Sequence, residues 1–529
     1  MNIVQVGLGT SGSITALILS KFFPKHNFKI VHNSKIIGVG EATFENFRTI
    51  ISLLDLDEDD FLKHCGGTLK FGIGYKNFIE KENSFFHPFS YGYNGYRTTT
   101  DFHFEHHSFR GYSLKGEEYS NKEHPLSKVF LDNRVPLEED GVFSSQYAFH
   151  INTQKFNEYC LTLLSKRPNV EIISDDIIDI KINHHGIDKL VLKNGNIITG
   201  DLFLDCSGFS QLLRSKLENA KWISIEKDLP NNKAFVIRQK YKNELEEIHP
   251  YTKATAMSHG WMWSIPLIDE ISHGYVFSDL YSDYNEIHDE MEKHFSIKIK
   301  DYNQVNFKSG YEKVSWYKNC CALGLSSAFI EPLESTGIAI FIEQAIRLST
   351  CLEKGYIKQL DRDFFNYRIE QDVLNIKTFI KHHFLHTQRE DTNYWRDWKY
   401  DRSLTETEMD QWYNLYHSHV FPEEKYTFFT QSSYESILRP FGVLGDQNKF
   451  LMKYNSQSVP SNQLKQMGMI NTDNISRFMG FEHNKEESIQ KKEKFEQFIQ
   501  MYHMNLLDVS SKLKRYPKHF EFLTSTIYN

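Results

Sequence analysis

Apolar positions along residues 2–22 change period once. NIVQV is a short β-rich run, and after a glycine turn Ile14, Leu17, Ile18 and Phe22 recur at helical spacing. FKIVH follows as a second short strand, so residues 1–32 predict the start of a βαβ unit. Residues 47–64 read as a helix. Residues 69–79 alternate like a strand: within TLKFGIGY, Leu69, Phe71, Ile73 and Tyr75 share one face while Lys70, Gly72 and Gly74 share the other. From 80 to 145 the period is weak and Phe, Tyr, His and Gly are abundant, which predicts long ordered loops over a site. A helix is predicted at 153–166, strands and turns at 170–206, and mostly strands at 233–325. Beyond 338 the pattern is helical almost to the end, with aromatic-rich irregular stretches near 390–460. The pattern predicts an α/β fold: a nucleotide-binding module with mixed sheets over 1–360, carrying the 80–145 insertion, and a mainly helical module over 361–529.

Composition narrows the partners. The chain has 529 residues, 25% of them charged, and a net charge of -8, without a run of like charge long enough to grip a polyanion. Nucleic acid is therefore not expected, and a small-molecule site is. The six cysteines show neither metal-ligand spacing nor the density of a disulfide scaffold, so buried thiols, no metal and a reducing compartment are expected. Met1 leads straight into a strand, and no apolar run has the length of a bilayer span, so a cytoplasmic protein without a membrane anchor is expected.

Gly7, Leu8, Gly9, Thr10, Ser11 and Gly12 form a G-x-G-x-x-G between strand and helix. Gly7 permits the tight turn, Gly9 lets backbone N–H groups approach a pyrophosphate, and Gly12 lets helix and strand pack closely. The acid expected about 20 residues further on is missing: residues 25–35 contain no Asp or Glu, leaving His32 or Asn33 to take its place. In EPLESTGI, residues 331–338, Pro332 stiffens the approach, and Ser335, Thr336 and Gly337 open a helix whose unpaired N–H groups suit an anion. Glu331 reads as a solvated or capping acid. Trp261 and Trp263 stand two apart in a strand and so share a face. Tyr394, Trp395, Trp398, Trp412 and Tyr413 are dense enough to line a pocket.

Several of these blocks, taken together and in order, resemble a known family. IGVGEATF (37–44), YAFHINTQKF (147–156), GWMWSIPL (260–267), NCCALGLSSAFIEPLESTGIAIF (319–341) and IKTFIKHHFLHTQREDTNYWRDWK (376–399) are similar to flavin-dependent halogenases of the tryptophan-halogenase type. GDLFLDCSGFSQLLR (200–214), with Asp205 and Gly208, looks like the second FAD motif of flavin monooxygenases. The resemblance covers roughly residues 1–400, and the last 130 residues match less well.

This resemblance implies a Rossmann-like FAD-binding module of the flavin monooxygenase type. It also implies a reaction in which reduced FAD, supplied by a separate flavin reductase, O2 and a halide ion yield hypohalous acid. The acid passes through an internal tunnel to Lys70, beside a small electron-rich aromatic such as an indole or phenol. Lys70 and Glu334 are then the catalytic pair, and Thr336 and Gly337 hold the halide. Gly38, Val39, Gly40, Ala42, Leu325 and Ile338 join the glycine turn around FAD. His87 and Phe89, with Glu334, contact the aromatic ring, and Trp261 and Trp263 separate flavin from substrate. The glycines beside Lys70 predict open space around its ammonium. A flavin-dependent aromatic hydroxylase and a catalytically silent flavin-binding protein stand as alternatives. The halide preference, the regiochemistry and a homo-oligomer are left open.

Overall fold

In a computed structural model of the chain, the residues described are 1–33, 41–89, 126–400, 428–429, 431–438, 440–441 and 511–529. The first two strands form as their apolar alternation requires. Asn2–Val6 lies at the centre of a six-stranded sheet, parallel to Asn27–His32 on one side and Leu202–Asp205 on the other. Val170–Ser174, Cys320–Ala322 and the antiparallel Trp316–Tyr317 complete it. The helix Thr10–Phe22 follows the glycine turn and is buried over Ser11–Ser20, packed against the later helices Thr153–Ser165 and Thr336–Glu353. A helix enclosed in this way needs close contact on several sides, which explains the small residues Gly12, Ser13 and Ala16.

A second, seven-stranded sheet runs in the order Asn303–Asn306, Lys233–Gln239, Ile271–Phe277, Gly260–Pro266, Thr252–Ala256, Gly72–Lys76 and Ser84–Pro88. All of its pairings are antiparallel except that between Thr252–Ala256 and Gly72–Lys76. Gly260–Pro266 and Ile271–Phe277 are buried throughout, as expected of strands covered on both faces.

Two predicted elements are each split in the structure. The expected helix over 47–64 is two helices, Asn46–Leu53 and Glu58–Cys65; Asp55 turns into the left-handed region (φ 54°), and Asp57 caps the second helix by accepting the Asp60 N–H at 2.8 Å. The expected strand over 69–79 is Thr68–Lys70 and Gly72–Lys76, which belong to different sheets. Thr68–Lys70 pairs with Ala148–Ile151, and the chain crosses to the large sheet at Phe71. Lys70 therefore sits at a junction of sheets, fully buried.

Among the described residues the C-terminal part is helical, with Thr336–Glu353, Gln359–Leu385 and Asn393–Tyr400. The end of the chain returns beneath the Lys70 strand: His519 Nε2 accepts the Leu69 N–H at 3.2 Å, and the Tyr528 hydroxyl donates to the Leu62 and Gly67 carbonyls at 2.9 and 2.8 Å. All six cysteines are buried and unpaired. No helix among the described residues is long and apolar enough to cross a membrane.

Candidate active site

The glycine turn is built as its spacing requires. Gly7 has φ +100°, and a Cβ there would lie 2.2 Å from the Cys206 carbonyl oxygen, so the turn at the end of the first strand admits no side chain. A Cβ on Gly9 would meet nothing within 4 Å, leaving the space in front of the helix N-terminus free for a pyrophosphate. Beside it, Asp205 is buried and fully engaged. It accepts the Ser207, Leu213 and Arg214 N–H groups at 3.1, 2.8 and 2.8 Å and the Ser207 hydroxyl at 2.5 Å, so it fixes the turn carrying Gly208. Of the stand-ins for the missing acid, Asn33 donates to Asp176 at 3.5 Å and His32 is half-buried at the strand end. Leu325 is half-buried and Ile338 and Ala42 are buried, whereas Gly38, Val39 and Gly40 lie outside the described residues.

Ser335 takes the left-handed conformation (φ 58°) and starts the helix Thr336–Glu353. The first N–H groups of that helix have no partner within it. The Thr336 hydroxyl is buried without a hydrogen bond, and a Cβ on Gly337 would meet nothing within 4 Å. The Trp263 indole N–H is likewise buried and unbonded. Open glycine faces and orphaned donors are what a flavin dinucleotide with a neighbouring anion would complete, and the donor set fits that group.

Glu331 corrects an expectation. It is neither solvated nor a cap but fully buried, with Oε1 accepting the Trp261 indole N–H at 3.0 Å and Oε2 accepting Asn231 Nδ2 at 3.0 Å. Burial pushes its carboxyl up to about 7 against the pull of those two donors. Trp261 and Trp263 are both buried, with ring centroids 6.2 Å apart. Trp263 lies over its cross-strand partner Gly274, where a Cβ would come within 1.9 Å of the ring, so only glycine accommodates the indole there.

Glu334 lies at the centre of the second half of the site. Its Oε1 accepts the Tyr75 hydroxyl in a short bond and His383 Nε2 at 2.7 Å, and its Oε2 accepts His87 Nδ1 at 3.1 Å. The burial of Glu334 on its own would raise the carboxyl, but His87 beside it, and the bonds from His383 and His87, hold it well below the usual range. His383 Nδ1 faces the Phe379 carbonyl at 3.0 Å, which can only accept. With an acceptor at each nitrogen, the ring is placed to donate at both ends, to the Phe379 carbonyl and to the Glu334 carboxylate. His383 was missed in the sequence; its place in KHHFLH on a long helix gives no sign of which of the three buried histidines reaches Glu334.

Lys70 lies close by. Its ammonium donates to the Thr43 carbonyl at 3.0 Å and stands 4.8 Å from the centroid of the Phe89 ring. Burial pulls its pKa down to about 7, with Glu334 and Glu45 opposing the fall. The flanking glycines do not open the expected space: a Cβ on Gly72 would lie 2.4 Å from the His87 carbonyl, and one on Gly74 2.7 Å from the Tyr251 ring. Phe89, the ring that faces the ammonium, is half-buried and edge-on to Phe44. The structure thus brings Lys70, Glu334, His87 and Phe89 together. The aromatic set expected to line a pocket is instead packed in the core: Tyr394, Trp395 and Trp398 are buried, Trp398 stacking on Phe384 at 4.7 Å, while Trp412 and Tyr413 lie outside the described residues.

The chain matches the family model for tryptophan halogenase over residues 2–457 and belongs to that family; it is a flavin-dependent halogenase. It is 32% identical over 425 residues to tryptophan 6-halogenase SttH of Streptomyces toxytricini, covering 75% of this chain and 80% of that one. To tryptophan 7-halogenase RebH of Lentzea aerocolonigenes it is 27% identical over 481 residues, covering 84% and 90%. The fold is shared with BrvH, a flavin-dependent halogenase from Brevundimonas sp. BAL3, at TM-score 0.80 and 22% identity over 99% of this chain and 98% of that one.

Proposed function

We propose that the enzyme turns halide and O2 into hypohalous acid at the flavin site and delivers it through an internal passage to Lys70, where an electron-rich aromatic of the indole or phenol type is halogenated. FAD, reduced by a separate reductase, would supply the O2 activation when bound. Gly9 and the helix behind it would hold its pyrophosphate, and Thr336 and Gly337 the halide. Trp261, fixed by Glu331, and Trp263, laid on Gly274, would keep the arene away from the flavin. The helical module over 361–529 would carry much of the substrate contact.

The observation that carries the reading is a fully buried lysine on an aromatic face, close to a carboxylate held ionised by three donors. The Lys70 ammonium can donate a hydrogen bond to the oxygen of the hypohalous acid, or the free amine can take its halogen as a haloamine, and His87 and Phe89 orient the ring. With the ammonium, the carbon–halogen bond forms as the oxygen–halogen bond breaks and the departing hydroxide takes the ammonium proton to leave as water; with the haloamine, water has left already and the nitrogen–halogen bond breaks as the nitrogen takes up a proton, and in either case the ring proton makes good the one given up. The ring C–H proton passes to Glu334. A protonated ring is so strong an acid that a carboxylate of depressed pKa suffices to take it, and a group always ionised at neutral pH is always ready to do so.

The test is a screen of chloride, bromide and iodide against indoles and phenols, with FAD, a flavin reductase, NADH and O2. A haloarene whose formation requires halide is expected. A hydroxylated product independent of halide would establish the hydroxylase reading, and no turnover beyond that of free flavin would establish a silent flavoprotein.

A further inference from the structure

The short segment Thr43–Asn46 joins the two halves of the site. The Thr43 carbonyl accepts the Lys70 ammonium, the Phe44 ring packs edge-on against Phe89 at 5.5 Å, and Asn46 Nδ2 donates at 3.3 Å to the Ala339 carbonyl in the helix that begins at Thr336. Between them stands Glu45. It occupies the N-cap position of the helix Asn46–Leu53 but does not cap it: its backbone is helical (φ -52°, ψ -35°) and its side chain accepts no N–H of the first turn. Its Oε1 is buried and has no hydrogen-bond partner, and Asn46 Oδ1 beside it is in the same condition. A buried carboxylate oxygen left unpaired is costly, and where it serves no structural bond it calls for another reason. The nearby cation Arg48 is engaged elsewhere, with Glu58 at 3.2 Å and over the Tyr147 ring at 3.8 Å.

We propose that Glu45 is a positioning residue for Lys70: a second carboxylate that acts with Glu334 on the buried ammonium and sets the protonation state in which the lysine meets the oxidant. The inference rests on the reading of Lys70 given above. The charged and titratable groups around the ammonium come from every element packed on it. Glu334, with His87, His383 and Tyr75 on its oxygens, comes from the turn before Thr336. His150 comes from the paired strand and is kept neutral by burial, its ring nitrogens on Thr68 and Thr252. His519 lies beneath on the Leu69 N–H, and Glu41 and Glu45 belong to the 41–46 segment. Lys70 and Glu45 attract one another within this set, each opposing the shift that burial imposes on the other.

Removal of the Glu45 charge takes away an attraction that favours the ammonium, so the Lys70 pKa must fall. The sign is the same whether the ammonium or the free amine is the working form: either limb of a pH profile set by Lys70 moves to lower pH. The test is the titration of Lys70 itself, in the full-length protein labelled with [ε-13C]lysine, its resonance assigned by loss in Lys70→Met. Glu45→Gln, nearly isosteric, is expected to lower the midpoint by about one pH unit, while Glu45→Asp keeps it near the wild-type value. The pH profile of halogenation moves in parallel.

A Lys70 midpoint in Glu45→Gln that is unmoved or raised would overturn the proposal. So would a wild-type midpoint in the ordinary lysine range. Should Glu45→Gln not fold, the reciprocal measurement decides: in [δ-13C]glutamate-labelled protein, Lys70→Met must raise the Glu45 midpoint, and no rise counts against the proposal. Absence of halogenation by the wild type with an intact Lys70–Glu45 coupling would count against the proposed function and not against this pair.

Discussion

Replacement of Glu334 by glutamine removes the charge of the buried carboxylate with little change of shape. With its NH2 turned to the Tyr75 oxygen and His383 Nε2 and its oxygen accepting His87 Nδ1, the amide can keep these contacts while His383 keeps its Nδ1 proton on the Phe379 carbonyl, so folding should be little affected, with a loss of about 1 kcal/mol for charge-assisted bonds turned neutral. The reaction should suffer more. A unit positive charge on the ring about 5 Å from the carboxylate is stabilised by roughly 3 kcal/mol at an effective dielectric constant of about 20. Its loss corresponds to a fall of about a hundredfold in the halogenation rate. The assay follows haloarene formation in single turnovers with pre-reduced FAD, beside flavin oxidation in the same mixture and thermal unfolding of both proteins. Glu334→Gln should oxidise flavin at the wild-type rate and lag only in haloarene. Flavin oxidation slowed in equal measure would place Glu334 in the flavin step, and a haloarene rate within threefold of the wild type would refute the role given to its charge.

Three further outcomes follow from the same geometry. Gly7→Ala, whose Cβ would strike the Cys206 carbonyl at 2.2 Å, should abolish folding or FAD binding. Gly9→Ala, whose Cβ enters open space, should fold normally and weaken FAD binding in a fluorescence titration. Glu331, with its folded pKa raised to about 7, binds its proton more tightly when folded, so it favours folding most below about pH 4.5 and loses that contribution as pH rises through 7. Glu331→Gln should therefore flatten the fall in stability between pH 5 and 7, measured by denaturant unfolding at each pH.

The sequence announced the first part of the fold because local rules decide it: the strand, glycine turn and helix over 2–22 depend on neighbours in sequence, and the structure has them where the pattern puts them. The TLKFGIGY segment was legible as β but not as two strands, since the break at Phe71 is imposed by pairing with residues 148–151 and 252–256, far along the chain. Lys70 and Glu334 were reached through the resemblance of their surroundings. What neither residue disclosed was its partners. His383, on a helix end buried on all sides from Ile376 to Leu385, meets Glu334 from 49 residues further along the chain, and Glu331 is buried because Trp261 and Asn231 come to meet it from elsewhere. The aromatic cluster at 394–398 misled because aromatic density marks a core as readily as a pocket.

The most direct measurement compares the wild type with Lys70→Ala in the full reaction of reduced FAD, O2, halide and an electron-rich arene, recording flavin oxidation, hypohalous acid released to a trap, and haloarene together. If the halogen reaches the arene only by way of Lys70, Lys70→Ala will oxidise flavin and release the oxidant at wild-type rates while haloarene falls to the level that free hypohalous acid produces. Haloarene formed by Lys70→Ala at the wild-type rate and with the wild-type regiochemistry would contradict it.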